Sequence, residues 1–578
     1  MTDVASLRPL FAVLVSAVAI PIILSLRSRP NVREGVTLAV AATKFGLVAS
    51  MVPGVLAGTT YVTRIGEFGN GISLALRADP LGILFALLAS LLWIVTSFYS
   101  IGYMRGLSEH AQTRYFASFA ASLACAVGVA FGANLVTLFV FYELLTVSTY
   151  PLVTHDETDE ARAAGRKYLT YTFGGGVAVL GGTALVYVLT GTTAFTPGGI
   201  EALATADPTL ARAAFALLAG GFGVKAALMP VHSWLPDAMV APTPVSGLLH
   251  AVAVVKSGIF GIARVVLDVF GTETMAELGV ALPLAAVAAI TLLTASVIAL
   301  RQDNLKRRLA YSTISQLSYI VLGLALLEGD ALIGGLLHIP AHAFMKLTLF
   351  FCAGAIHVET HTDDISDMAG IGDRMPLTMA AFAVAAAGMA GIPLVAGFVS
   401  KWYIVIGALQ GGGLVFAAAL LISGVLNIAY FWPVVYQAYF ESPEGHDEKP
   451  LLSAPLGGRS GPRADGGGET EAYGDASAAE THDDAHGAET HDDAHGAETH
   501  EDGHDVESRD DGHRGHHGGP PASGWDVRGW RGAESTWFML GPILTAASLS
   551  VLLGVVPRTA VFLRIVETVV GSLPGVVV

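Results

Sequence analysis

Apolar runs of about twenty residues recur along nearly the whole chain, and nothing constrains its fold more. Twenty residues of helix rise about 30 Å, the thickness of a bilayer's hydrocarbon core. The runs lie near 8–26, 35–57, 78–103, 115–132, 134–153, 166–190, 211–230, 243–268, 278–300, 308–327, 331–356, 376–407, 413–440 and 536–556. The predicted fold class is an all-α polytopic membrane protein with about fourteen transmembrane helices. A composition of 53% hydrophobic and 14% charged residues agrees. The first run follows MTDVASLR and has no small-residue cleavage site before Arg27, so it reads as a retained helix. Cys125 and Cys352 both fall inside apolar runs and give neither a disulfide framework nor metal-ligand spacing.

The formal net charge of −16 belongs to one segment: 441–533 holds 22 Asp/Glu and 7 Lys/Arg, a balance of −15. A nine-residue unit recurs there as AETHDDAHG (479–487), AETHDDAHG (488–496) and AETHEDGHD (497–505). Such a composition cannot form a core and predicts a disordered, acidic, His-rich loop. It is a solvated insertion or, alternatively, a weak metal or proton buffer. Four parts follow: 1–114 with helices one to three, a core at 115–440, the 441–533 loop, and 534–578 with a last transmembrane helix and an amphipathic tail at the membrane surface.

Basic residues mark alternate loops: Arg27, Arg29 and Arg33; Arg105 and Arg114; Arg162, Arg166 and Lys167; Arg301, Lys306, Arg307 and Arg308; and Arg374. The intervening loops carry acids such as Asp268, Glu273, Glu277, Glu328 and Asp330. The positive-inside rule makes the basic loops cytoplasmic. Both termini are then external, the 441–533 loop is cytoplasmic, and the chain belongs in the cell membrane.

Charged groups inside these runs are expensive, so they normally face protein or water and mark ion pathways. Glu143 sits in the middle of the fifth run. Lys225, Lys256, Lys346 and Lys401 lie inside or at the edge of others. Pro230 follows Lys225 by about one turn, and a proline breaks a helix by removing a backbone donor. Desolvation works against charge on Lys225 and a nearby Glu143 favours it. The pair then switches protonation if its separation changes, or it is a static ion pair that locks two helices.

His250 and Lys256, six residues apart, do not share a face of a regular helix. They line a path only where the helix is distorted; otherwise His250 is an interhelical hydrogen-bond donor. His338, His342 and Lys346 are spaced i, i+4, i+8 on one face, with Pro340 expected to open the helix between the histidines. This resembles a proton relay more than packing. The HxxxH pair lacks the glutamate of an HExxH site and a third ligand, so no metal site is assigned. Gly391-Ile392-Pro393 marks a second break, followed by Lys401. The stripe Ser312, Thr313, Ser315, Gln316 and Ser318 holds waters or bonds neighbouring helices. HDETDEARAAGRK, beginning at His155, reads as a solvated cytoplasmic loop. Breaks in the seventh and twelfth helices occupy matching places in two five-helix blocks, helices four to eight and nine to thirteen, which points to inverted repeats.

Five stretches in order carry a resemblance: FYELLTVSTYPL, VKAALMPVHSWLPDAMVAPTPVSGLLHAVAVVKSGIF, LAYSTISQLSY, HIPAHAFMKLTLFFCAGAI and AGFVSKWYI. They resemble the antiporter-like subunits shared by respiratory complex I, Mrp-type multisubunit Na⁺/H⁺ antiporters and membrane-bound hydrogenases. The resemblance covers about 115–440. It implies that Glu143 and Lys225 form a central pair tuning proton affinity. Lys256 and His250 would bridge to the second half-channel, His338, His342 and Lys346 would continue the axis, and Lys401 would be the terminal proton carrier. It also implies the two inverted five-helix repeats.

Length and single-module architecture resemble a D-type Mrp subunit, while PTPVSGLLH is equally similar to the complex I counterpart and to the larger A-type subunit. The expected function is ion translocation in a monovalent cation (Na⁺)/proton antiporter. The alternative is a proton-pumping subunit of an NADH:quinone oxidoreductase or a hydrogenase. Other membrane subunits are the expected partners, H⁺ and Na⁺ the expected ions, and nucleic acid is not expected. No CxxC, Rossmann fingerprint or haem ligation occurs, so no cofactor is expected, and any electrons run through other chains. A stand-alone metal transporter is disfavoured because buried lysines repel metal ions. An intramembrane hydrolase using His338 and His342 lacks a nucleophile.

Overall fold

The computed structural model describes residues 1–69, 72–442, 519, 525–527, 534–559 and 561–576. Nearly all of the loop at 441–533 lies outside the described residues, so the disorder expected of it goes with them. Helix is found on every one of the fourteen apolar runs. In chain order the main helices are α1 (Arg8–Ser25), α2 (Pro30–Ala49), α3 (Pro80–Gly106), α4 (Gln112–Phe131), α5 (Leu135–Val153), α6 (Asp159–Thr190) and α7 (Pro208–Lys225). Then come α8 (Thr243–Gly247), α9 (Val254–Arg264), α10 (Ala281–Leu300), α11 (Leu305–Ala325) and α12 (Gly329–Thr360). The last are α13 (Pro376–Ala390), α14 (Ala396–Gln410), α15 (Leu414–Phe440), α16 (Trp537–Val555) and α17 (Phe562–Val570). Among the described residues, ten helices are long and apolar enough to cross a membrane by length and composition.

Side-chain caps set the helix starts. Asp79 accepts from Gly82 N at 2.8 Å, Asn134 from Thr137 N at 2.8 Å and Thr158 from Ala161 N at 3.1 Å. Each satisfies a backbone donor that a helix leaves unpaired in its first turn. Helix α12 is the centre of the molecule. Its spanning window is wholly buried, with α11, α13, α14 and α16 packed around it.

The interruptions are where the helical pattern becomes informative. Helix α7 ends at Lys225, five residues before Pro230. Ala227 takes a left-handed φ of 55°, and Leu228 N bonds back to Gly223 O at 2.9 Å. A left-handed turn of this kind terminates the helix before the proline is reached. The twelfth run divides into α13 and α14, with Gly391 at φ 92° after the first half. The expected break at Pro340 is corrected: α12 runs unbroken from Gly329 to Thr360. One missing donor is tolerable in a helix enclosed by protein on all sides.

A three-stranded sheet adds to the helical reading: β1 (Thr2–Ala5), β2 (Thr59–Gly69) and β3 (Ile72–Ala78). β1 pairs with β2 in parallel, Thr2 opposite Thr59, and β2 with β3 antiparallel, Tyr61 opposite Ala78. Bridges continue from Leu76 to Gly132 and from Asn134 to Ala194. The connections at 191–200 bond onward to Asp268 and Val269. These segments form one end of the molecule, where Asp79 and Asp268 clamp Arg264 at 2.7 Å and 2.6 Å. Asp268, read as a loop acid, is buried in this pair.

The opposite end gathers 105–114, 154–158, 302–304, 361–376, 525–527 and 534–535. Arg114 pairs with Glu157 there, and Trp525 Nε1 donates to Ala369 O at 2.7 Å. On the near side of the 441–533 segment, Tyr439 hydroxyl donates to Pro376 O at 3.1 Å. On its far side the Glu534 carboxylate accepts from Leu377 N at 2.8 Å and Thr378 N at 2.7 Å. His155 corrects the reading of a solvated loop: it is fully buried. Burial, helped by His110 and Arg114, pushes its imidazole down to about 4, so it is neutral at physiological pH.

Candidate functional site

Glu143 projects from α5 toward α6, where its carboxylate lies against Gly176. A Cβ at position 176 would meet the Glu143 carboxylate, so any larger residue there displaces it from this seat. Glu143 Oε1 has no hydrogen-bond partner among the described residues. Lys225, the last residue of α7, donates from Nζ to Tyr142 O at 2.5 Å and lies 3.3 Å from the Tyr142 ring centroid. Glu143 and Lys225 are electrostatic neighbours, yet they form no direct ion pair among the described residues. The static-lock alternative therefore has no contact to rest on.

The last carbonyls of α7 are taken by other donors, Phe222 O by Ala226 N, Gly223 O by Leu228 N and Val224 O by Trp234 Nε1, so the Lys225 ammonium group reaches across to α5 instead. The second break places its lysine differently. Lys401 belongs to α14 but donates across the break to Met389 O, at the carbonyl end of α13. Its Nζ lies 4.5 Å from the Tyr319 ring centroid. Both interruptions thus have an ammonium group on a backbone carbonyl, Lys225 on one in the middle of α5 and Lys401 on one at the end of α13.

Between them, buried side chains form a line on and beside α12. Lys256 Nζ lies 2.8 Å from His342 Nδ1. The His342 and His338 rings are 6.2 Å apart by centroid. His338 Nδ1 is 2.8 Å from Ser400 Oγ and its Nε2 is 2.9 Å from Gln316 Oε1. Ser400 precedes Lys401, and Tyr319 stands 5.7 Å from the His338 ring, so two groups connect His338 to Lys401. Lys346 donates to Leu309 O at 3.1 Å and to Ser312 Oγ.

His250 falls in a π-helical turn, Leu248–Val252, followed by Ala253 at φ −125°, ψ −65°. The distortion needed for His250 and Lys256 to share a path is therefore present, as is common where π-turns serve a site. The His250 ring makes no hydrogen bond and packs 4.7 Å from Phe350. Gly258 of α9 packs on the end of α7 at Lys225 and Ala226, bringing the two lysine-bearing helices into contact. No side-chain hydrogen bond links Lys225 to Lys256 among the described residues.

Three residues escaped the sequence reading. Gln316, named only within a polar stripe, holds His338 and passes a bond on to Asn427 Oδ1 at 3.0 Å. Lys44, in the second run, is fully buried and donates to Leu123 O at 2.7 Å, with Trp93 beneath it at 5.4 Å. The rule that flagged the other intramembrane lysines would have flagged it too. Arg264 is the third. Its partner Asp79 is 185 residues away, so no local spacing announces the pair. Chemically, four of these five buried lysines (44, 225, 346 and 401) rest on backbone carbonyls and the fifth on an imidazole. Such an array can hand protons between neutral and charged states.

The sequence matches the family described as "NADH:quinone oxidoreductase/Mrp antiporter, TM" over residues 132–427. It is 35% identical to the NADH-quinone oxidoreductase subunit N of Desulforudis audaxviator, covering 66% of this chain and 76% of that one. It is 33% identical to the A-type subunit of the Na(+)/H(+) antiporter of Alkalihalophilus pseudofirmus, covering 67% of this chain but 51% of the larger relative. A chain in the structure of the Mrp complex from Dietzia sp. shares the fold. The TM-score is 0.74 at 22% identity, with 98% of this chain and 97% of that chain covered.

Proposed function

Because the chain belongs to the NADH:quinone oxidoreductase/Mrp antiporter transmembrane family, we propose that it translocates ions in a multisubunit monovalent cation/proton antiporter. In this reading protons move along Glu143, Lys225, His250, Lys256, His338, His342, Lys346 and Lys401. The observation that carries it is that Lys225 and Lys401, each beside a helix break, rest on the backbone carbonyls of Tyr142 and Met389, with the His338–His342 line between them. A small movement at either break changes how well Tyr142 O or Met389 O holds its ammonium group, which couples a conformational step to proton release. The reordered lysine and break support two inverted repeats, helices four to eight and nine to thirteen. The clustering of basic connections at one end supports a cytoplasmic placement for that end, with both termini external.

The 35% relative favours a second reading, a proton-pumping subunit of a quinone reductase or hydrogenase complex. Purification with native partners and reconstitution into vesicles separates the two. Antiport predicts that Na⁺ dissipates an imposed pH gradient with no redox substrate present. A gradient built only when a co-purified flavin or iron–sulfur subunit is reduced would establish the second reading instead.

Two expected results follow. Replacing Gly176 by Ala should lower exchange roughly tenfold to a hundredfold, since misplacing a reacting group by about 1 Å is worth that much. Normal chain yield with a reduced initial rate would be the signature; an unchanged rate would show that the carboxylate's seat is unimportant. Deleting 441–533 should leave exchange nearly unchanged, with at most a small shift in pH optimum as ten of the eighteen histidines leave. A loss of about nine-tenths of activity, with the helices still inserted, would make that segment a docking or gating element.

A further inference from the structure

At the end of the molecule bearing the basic connections, two imidazoles and a carboxylate converge outside the buried line. Glu109 and His110 lie on the connection between α3 and α4, and His155 lies just beyond α5. The connection is held firmly: Glu109 N donates to Met104 O at 2.9 Å, and Gln112 Nε2 to Glu109 O at 3.1 Å. His155 Nε2 is 3.8 Å from Glu109 Oε2, and His110 Nδ1 is also 3.8 Å from Glu109 Oε2. One ligand atom from each of the three residues falls within 4.8 Å of the others.

His155 has 0% exposure, and among the described residues neither ring nitrogen makes a hydrogen bond of good geometry. A buried polar group left in that state is costly, so this orphan calls for an occupant. Two imidazoles and a carboxylate are the donor set that holds first-row divalent ions, with an open fourth position for water. Ligand bonds of about 2.0–2.2 Å in a tetrahedron put donors roughly 3.3–3.6 Å apart, so each 3.8 Å separation from Glu109 closes by a few tenths of an ångström, while a pair as far apart as 4.8 Å needs about 1.2–1.5 Å, a side-chain rotation of half-exposed His110. The neighbouring cation does not compete: Arg114 is engaged with Glu157 and with His155 O at 3.1 Å. Half-exposed His110, at 51%, leaves an entry path from water.

We propose that Glu109, His110 and His155 bind one divalent transition-metal ion, of which zinc is the fitting member, completed by water. The bound ion ties the α3–α4 connection to the α5–α6 connection, at the foot of the helix that carries Glu143.

The test uses the purified full-length protein with its native partners and Zn²⁺ or Co²⁺ as probe. Titration against a chromophoric chelator should find one tight site per chain. Its affinity should fall at least about a hundredfold in His155→Ala, His110→Ala and Glu109→Gln, and stay unchanged in His357→Ala. The ten histidines of 441–533 are present in every variant, so their binding is common to all and cancels. Equal affinity and stoichiometry in wild type and the three ligand variants would overturn the site. If those variants fail to fold, anomalous scattering at the zinc edge from unmodified protein decides. Density between the three side chains is expected. Density only elsewhere, or none at a zinc level that fills one equivalent per chain, would refute the assignment.

Discussion

Lys225→Ala should abolish cation/proton exchange in reconstituted vesicles, lowering it at least roughly a hundredfold, the scale on which a positioned proton donor acts. Assembly should remain largely intact, because the ammonium group bonds only the Tyr142 carbonyl and ring rather than a carboxylate. Lys225→Arg should not restore activity. The guanidinium keeps its charge but does not release a proton near neutral pH. Measuring initial rates and chain yield for both variants separates proton transfer from folding. Full activity in the arginine variant would mean that a fixed charge suffices and that no proton passes through this position.

Arg264→Ala should be the most destabilising single change. It strips two buried carboxylates, Asp79 and Asp268, of a shared guanidinium that now lies 2.7 Å and 2.6 Å away. Removing one partner of a buried pair costs about 3–5 kcal/mol, since the remaining charge is left uncompensated. The sheet end of the molecule would lose the link between the start of α3 and the segment after α9. The expected result is a large drop in folded yield and in the thermal midpoint in mild detergent. Arg264→Lys should recover part of it, because lysine keeps the charge without the forked geometry that reaches both oxygens of Asp79. A wild-type midpoint in the alanine variant would show that the pair contributes no net stability.

The helices were legible because each is a self-contained apolar segment whose length alone identifies it. What depended on distant partners was not. Asp268 looked like a loop acid because its neighbours are polar; only the fold closes it onto Arg264. His155 looked solvated beside Asp156, Glu157 and Asp159, but the chain turns it inward against Tyr115. The sheet was passed over by a hydropathy scan, although Asn70-Gly71 between β2 and β3 is a hairpin signal. Pro340 was over-read, because proline's lost donor matters less where neighbouring helices enclose the backbone. Of the candidate site, the spacing of His338, His342 and Lys346 foretold one face correctly. Gln316 and Ser400 came into view only through the hydrogen bonds that hold His338. Glu143 and Lys225 are electrostatic neighbours without a direct contact among the described residues, and that separation had no sequence signal.

The anchoring of Tyr439 and Glu534 to the same short stretch, Pro376 to Thr378, has a practical meaning. The two flanks are clasped side by side, so the helical bundle does not register how much polypeptide lies between them. Closing a flexible span costs only about 0.6 kcal/mol more for each doubling of its length. This junction is therefore a port at which the protein can be lengthened, whether by repeat expansion over generations or by a fluorescent reporter grafted at the bench, while the membrane-embedded machinery keeps its dimensions.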